Sequence, residues 1–198
     1  MKYPRSIQNL IEMFSKLPTV GPKTAERYVF YLLKQNSEEL QKFAQSIAEL
    51  KENIRICEKC FSVSESSPCE VCSSSNRDKN TICVVSNTRD MISIESTRNY
   101  NGVYHILGGV LNAIEGIKPE ELNIKKLLER IQKDNIKEAI LALSPTLEGE
   151  TTSMYLAKIL RPLNIKITRL AKGLPMGSDL EYADEITITN ALNNRNAL

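Results

Sequence analysis

The chain has 198 residues, of which 41% are apolar, 25% charged and 6% aromatic, and its formal net charge is +2. This balance excludes a disordered, collagen-like or coiled-coil chain, and no apolar run approaches the roughly 20 residues of a membrane-spanning helix. At about 150 residues per domain, the length predicts one domain with one or two smaller modules. The chain begins without the apolar block of an export signal, so we expect a cytoplasmic protein.

The first 54 residues predict a module of three helices. Apolar residues at spacings of three and four indicate the first helix: Ile7, Leu10, Ile11, Phe14 and Leu17. A second helix is expected to begin at Pro22, because proline is favoured in the first turn of a helix. A third is expected to begin near Ser37, with that serine as its N-cap.

The turn between the first two helices carries the residues of a phosphate-binding hairpin. Gly21 precedes the predicted helix start, where exposed backbone N–H groups and the helix dipole attract anions. Lys23 and Arg27 are four residues apart and share one helix face, so together they could hold two successive phosphates of a DNA strand. Such contacts carry no base information, and binding would be independent of sequence and sensitive to salt. The alternative is an ordinary helical connection with solvated charges.

The distribution of charge favours the DNA-binding interpretation. Residues 1–35 contain six basic and two acidic residues, a net charge of +4, and the rest of the chain therefore carries −2. A basic N-terminal module with an acidic remainder is expected if the first part contacts nucleic acid.

Four of the five cysteines form a metal-binding pattern. Cys57, Cys60, Cys69 and Cys72 make the spacing C-x2-C-x8-C-x2-C, which supplies the four thiolates of a tetrahedral zinc site. Four sulfurs leave no open coordination position, so we expect one structural Zn2+ ion per chain. The alternative is a polar loop with four free cysteines. The fifth, Cys83, lies in a β-branched run and is interpreted as a small buried residue.

From residue 81 onward, β-branched runs alternate with helical patterns. Strands are predicted over 81–85, 103–107, 138–143, 165–170 and 186–189, and helices near 88–96, 119–133 and 151–162. Such alternation indicates an α/β domain with a mostly parallel sheet and crossover helices. The only histidine, His105, lies in a strand-like run and is interpreted as structural.

The order of these parts and several sequence strings resemble the RecR family of bacterial recombination mediators. The strings lie at 17–23 (LPTVGPK), 83–85 (CVV), 107–109 (LGG), 145–150 (PTLEGE) and 169–184 (RLAKGLPMGSDLEYAD), together with the cysteine quartet. The resemblance extends from about residue 5 to residue 195. It implies an α+β chain of several modules: a helix-hairpin-helix module over 1–54, a four-cysteine zinc finger over 55–78, a Toprim α/β domain over 79–175, and a C-terminal Walker-B-like and tail segment over 176–198.

The resemblance also implies a function. RecR proteins are DNA-binding mediators that work with RecO, and in some contexts with RecF, to help RecA replace single-strand-binding protein at single-stranded gaps. They form dimers and ring-shaped tetramers and resemble Toprim enzymes without sharing their catalytic activity. On this basis we expect sequence-independent DNA binding through Gly21, Lys23 and Arg27.

The acidic residues of the α/β section have two interpretations. The resemblance makes Asp90, Glu148 and Glu150 candidates for the contact with RecO. A Toprim nuclease or primase-like enzyme would instead use the same three acids with Mg2+. Ser86 stands where a Toprim catalytic site begins with a glutamate, which argues against catalysis. A purely protein-binding zinc scaffold is a third possibility, and a solvated acidic rim a fourth.

One further departure from the family concerns the hairpin. Thr19 stands where the family usually has a glycine. If this position requires a positive φ, threonine would be strained there.

Overall fold

The computed structural model describes residues 3–195, which divide into two compact units on either side of the boundary between residues 54 and 55. The remaining residues at each end, including 196–198 of the expected C-terminal segment, lie outside the described residues. No helix within 3–195 is long and apolar enough to cross a membrane.

The first unit contains three helices, α1 (Arg5–Ser15), α2 (Pro22–Leu32) and α3 (Ser37–Glu49). The expected start of α2 at Pro22 is confirmed. The predicted N-cap of α3 is off by one residue, because Asn36 accepts a hydrogen bond from the Glu39 backbone N–H while Ser37 is already helical.

The packing of this unit is sparse. Helices α1 and α2 lie against each other, and Ala25 and Val29 are the fully buried residues of α2. An edge-to-face contact between Phe14 and Tyr28, with ring centroids 5.8 Å apart, adds to this packing. Large apolar side chains stay exposed on the surface of the unit: Leu17, Tyr31, Leu33, Phe43, Ile47 and Leu50.

The second unit begins with the cysteine segment. Two short antiparallel strands, β1 (Arg55–Ile56) and β2 (Val63–Ser64), flank the first cysteine pair, and a one-turn helix, α4 (Glu70–Ser73), carries the second. The unit continues into the α/β section without a break.

A four-stranded sheet forms the centre of the second unit. Its strands are β3 (Asp78–Val85), β4 (Gly102–Ile106), β5 (Glu138–Leu141) and β6 (Lys166–Arg169), in the order β4-β3-β5-β6, and all neighbouring pairs are parallel. The connecting helices are α5 (Thr88–Ser96), α6 (Ile124–Lys133) and α7 (Leu147–Leu160). The predicted α/β architecture is therefore confirmed, although α6 begins five residues later and α7 four residues earlier than expected.

The two faces of the sheet are covered by different partners. Ile82 and Val84 belong to one apolar cluster, which includes residues of α6 and α7. Cys83 and Val85 belong to the other cluster, which contains Met91 of α5 and the cysteine-segment residues Phe61 and Val71. This alternation follows from the period of two along a strand. The cysteine segment therefore covers part of one sheet face.

One predicted strand is wrong. Residues 186–189 lie in a helix, α8 (Glu185–Asn193), in which the Asp184 side chain accepts the Thr187 backbone N–H as N-cap. The alternating sequence Ile186–Thr189 has the pattern of a half-buried strand, but the cap satisfies a free donor and starts a helix instead.

Candidate metal centre and nucleic-acid interface

The structure brings the four predicted metal ligands together. The sulfur atoms of Cys57, Cys60, Cys69 and Cys72 all lie within 4.8 Å of one another, and all four residues are buried. Tetrahedral zinc with bonds of about 2.3 Å places its sulfurs about 3.8 Å apart. The distance of 3.6 Å between the Cys60 and Cys69 sulfurs agrees with that value. The donor set and its spacing fit a structural zinc ion.

Local hydrogen bonds hold two of the four cysteine sulfurs in place. The Cys69 backbone N–H donates to Cys57 Sγ at 3.4 Å, and the Ser62 hydroxyl lies 3.1 Å from Cys60 Sγ. Hydrogen bonds from the Cys72 thiol first, and then from Ser62, lower the pKa of Cys60 to about 5, whereas the same hydrogen bond with Cys60 and then burial raise the pKa of Cys72. Metal ligation requires the thiolate form of all four cysteines, so zinc binding releases their protons.

Backbone hydrogen bonds join the metal centre to the sheet. The Ile106 N–H of β4 donates to the Cys60 carbonyl at 2.8 Å. Arg130 of α6 is 9% exposed, and its Nη1 donates to the carbonyls of Lys59, at 2.9 Å, and Tyr104, at 2.6 Å. One buried cation therefore links the zinc segment, a helix and a strand.

Sequence reasoning missed Arg130, although a signal was present. It lies three residues after Leu127 and beside Ile131, both of which are buried on the apolar side of α6. A basic residue on an apolar helix stripe needs buried partners, since an unpaired buried charge is costly. Those partners are carbonyls distant in sequence, which no local pattern shows.

His105 of β4 is buried beside the zinc segment. Its Nε2 donates to the Asn123 carbonyl at 2.9 Å, and its ring packs edge-on against Phe61 with centroids 5.3 Å apart. Its Nδ1 is buried and has no hydrogen-bond partner among the described residues. Burial lowers the pKa of His105 to about 4, so the ring is neutral at physiological pH.

The candidate DNA-binding residues lie at the N-cap and in the first half of α2. Gly21 is the N-cap in an extended conformation, no side chain caps the helix, and the space beside the Gly21 Cα is open. Lys23 and Arg27 are exposed. The uncapped backbone N–H groups and Lys23 thus occupy the first turn of α2, and Arg27 lies about one turn further along the same helix face.

The turn before α2 contains the backbone strain that the sequence suggested at Thr19. Thr19 has a φ of 66°, in the left-handed region that favours glycine. For a β-branched residue this conformation costs about 1–2 kcal/mol.

The acidic candidates lie at the carboxyl edge of the sheet. Asp90 follows β3 in the first turn of α5, whereas Glu148 and Glu150 follow β5 in the first turn of α7. Because β3 and β5 are neighbours and parallel, both turns lie at the same edge. Within residues 3–195, the cysteine quartet is the only group of three or more His, Cys, Asp or Glu side chains that are close enough to share a metal ion. The three acidic candidates therefore do not form such a group.

Two of the three acids already have partners. The Ser86 hydroxyl donates to Asp90, and Glu150 forms ion pairs with Arg169, at 3.4 Å, and Lys172, at 2.5 Å. The first turn of α7 requires a glycine between the two glutamates, since a Cβ on Gly149 would lie 2.0 Å from the Ser144 carbonyl oxygen. The sequence reasoning did not anticipate the two basic partners of Glu150.

The chain combines a helical module, a four-cysteine metal centre and a parallel α/β section, and four family models match these parts in chain order. They are described as the RecR helix-hairpin-helix (residues 7–51), the RecR zinc finger domain with four cysteines (54–74), the Toprim domain (80–171) and the RecR C-terminal segment (173–196).

Full-length relatives agree with these matches. The chain is 51% identical over 195 residues to the recombination protein RecR of Bifidobacterium animalis subsp. lactis, and the match covers 98% of each chain. It is 50% identical over 198 residues to that of Bifidobacterium adolescentis, covering 100% of this chain and 99% of the relative. It is 50% identical over 192 residues to that of Gloeothece citriformis, covering 97% and 96%. The chain belongs to the RecR family of recombination proteins, and its cysteine quartet is that family's zinc finger.

Proposed function

We propose that this chain is a cytoplasmic, non-catalytic mediator that binds DNA and acts with RecO, and in some contexts RecF, to help load RecA on single-stranded gaps. Family membership supports the role in recombination and repair. The observation that carries the DNA-binding part is the uncapped start of α2 together with two exposed cations, Lys23 in the first turn and Arg27 about one turn further along.

The chemistry at this helix end suits the DNA backbone. Pro22 has no backbone N–H, so the free donors of the first turn begin at Lys23, and the helix dipole adds positive potential there. The open space beside Gly21 allows a phosphate to approach the backbone closely. These groups would contact phosphates alone and give binding without sequence preference.

The salt dependence of DNA binding tests this site. Each phosphate contact to a single strand contributes about 0.7 to the slope of log K against log salt, so loss of two contacts should reduce the slope by about 1.4. We expect Lys23→Glu/Arg27→Glu to weaken binding at least tenfold for every sequence, in titrations of labelled single strands at several salt concentrations.

A second double reversal provides the matched control. Lys34 and Lys51 are exposed residues of the same unit. Lys34 lies just beyond the opposite end of α2, about 16 Å from Lys23 along the helix axis. Lys34→Glu/Lys51→Glu changes the net charge by the same amount and should leave the slope closer to that of the wild type. Equal losses in both variants would show a general charge effect and reject the proposed site.

Self-association is part of the proposal. The helical unit exposes Tyr31, Phe43 and Ile47 by 64%, 46% and 59%, which is apolar surface that a second copy of the chain would cover. Two cations bind a strand weakly, but linked copies raise the effective concentration of binding groups. Light scattering should give the mass of a dimer or a tetramer, and a monomer at all concentrations would contradict this part.

The acidic edge of the sheet is proposed as the RecO contact, through Asp90, Glu148 and Glu150. Charge reversal of Glu148, which is half-buried in the first turn of α7, should weaken RecO binding in a pull-down with purified proteins. Unchanged RecO binding in reversal variants of all three acids would place the contact elsewhere.

The alternative of a Toprim nuclease has less support. Ser86 replaces the expected catalytic glutamate and donates a hydrogen bond to Asp90, while Glu150 is paired with two basic residues. Incubation of labelled DNA with the protein and Mg2+ or Mn2+ should leave the DNA intact, and cleavage that disappears on mutation of Glu148 would establish the alternative.

A further inference from the structure

A serine in the zinc segment is almost completely buried. Ser62 is 1% exposed, although serine is ordinarily a surface residue. Its Oγ lies 3.1 Å from Cys60 Sγ, and its backbone carbonyl accepts the Cys57 N–H at 2.9 Å. A buried hydroxyl is costly unless it forms a hydrogen bond, so its position against the sulfur needs a physical reason.

The direction of this hydrogen bond follows from zinc ligation. A cysteine bound to zinc is a thiolate and has no proton to donate. The hydroxyl of Ser62 must then be the donor and Cys60 Sγ the acceptor. A hydrogen bond to a charged acceptor is stronger than one between neutral groups.

We propose that Ser62 is a positioning residue of the zinc centre. Its hydroxyl donates to the Cys60 thiolate, withdraws electron density from the sulfur and fixes the direction in which the sulfur faces the metal. Such partners of a metal ligand typically change metal affinity by about 10–100-fold when they are removed.

Cobalt spectroscopy of the full-length chain tests this role directly. Ser62→Ala removes one oxygen atom and leaves the four ligands unchanged. Loss of the donor raises the energy of the sulfur lone pairs, so the thiolate-to-cobalt charge-transfer band of the Co2+-loaded variant should shift to longer wavelength. Competition with a chelator at fixed pH should show zinc affinity reduced by about 10–100-fold.

Ser73→Ala is the matched control. Ser73 lies in the same segment, and its hydroxyl donates to the Glu70 carbonyl instead of a sulfur. The thiolate-to-cobalt charge-transfer band and the zinc affinity of Ser73→Ala should equal those of the wild type. The proposal is overturned if the Ser62→Ala band does not move, which would leave Ser62 a packing role only. It is also overturned if zinc affinity stays close to that of the wild type.

Discussion

Arg130 provides a test of whether the zinc segment and the sheet form one cooperative unit. Its guanidinium is buried and donates to two carbonyls, of Lys59 in the zinc segment and of Tyr104 in β4. Arg130→Met keeps the apolar stem and removes both bonds. A hydrogen bond to a charged group contributes about 1.5–3 kcal/mol, so the expected loss in the free energy of unfolding is about 3–5 kcal/mol. The ion pair with Asp134, at 3.3 Å, adds little, since that carboxylate is 40% exposed.

Urea unfolding of the zinc-loaded chain measures this loss. Hydrogen exchange at the Ile106 amide, which donates to the Cys60 carbonyl, reports the junction directly and should accelerate in the variant. Arg130→Lys offers one compact donor group in place of the guanidinium and should lose about half as much. Lys126→Met, on the exposed side of α6, should stay within about 0.5 kcal/mol of the wild type. An Arg130→Met variant within about 1 kcal/mol of the wild type would refute the reasoning.

Three further predictions concern stability. The pKa of His105 is about 4 in the folded chain and 6.5 ordinarily, so protonation favours the unfolded chain. The stability that the neutral ring contributes is therefore complete above pH 6.5 and is lost as the pH falls toward 4. Between pH 7 and pH 5, the wild type should lose about 2 kcal/mol more than His105→Gln in urea titrations, and parallel pH profiles would contradict this. Thr19→Gly relieves the positive φ at the cost of greater freedom in the unfolded chain, so calorimetry should show a net gain of about 0.5–1 kcal/mol; a lower melting temperature would show that the threonine is not strained. Elemental analysis should find about one zinc per chain, and Cys57→Ser should be insoluble or unfolded; a metal-free chain with a folded zinc segment would refute the structural role of zinc.

Local patterns predicted the parts whose chemistry is local. The spacing of the cysteines fixes two tight turns with two sulfurs each, and the metal requires all four, so the quartet was readable without a structure. Pro22 marks the start of α2 because a proline has no N–H to leave unsatisfied there.

Contacts between distant residues could not be predicted in the same way. Arg130 owes its role to the carbonyls of Lys59 and Tyr104, which only the fold brings near it. The segment 186–189 shows the opposite failure, because β-branched alternation indicated a strand while the Asp184 cap decided for a helix. The strand signal was local, and so was the cap that overrode it.

The most direct measurement of the proposed function is the rate at which RecA assembles on single-stranded DNA covered with single-strand-binding protein. With RecO present, the wild-type chain should shorten the lag before RecA assembly, and Lys23→Glu/Arg27→Glu should fail to do so while Lys34→Glu/Lys51→Glu still does. If the wild-type chain and RecO together leave the lag unchanged, the mediator function is contradicted.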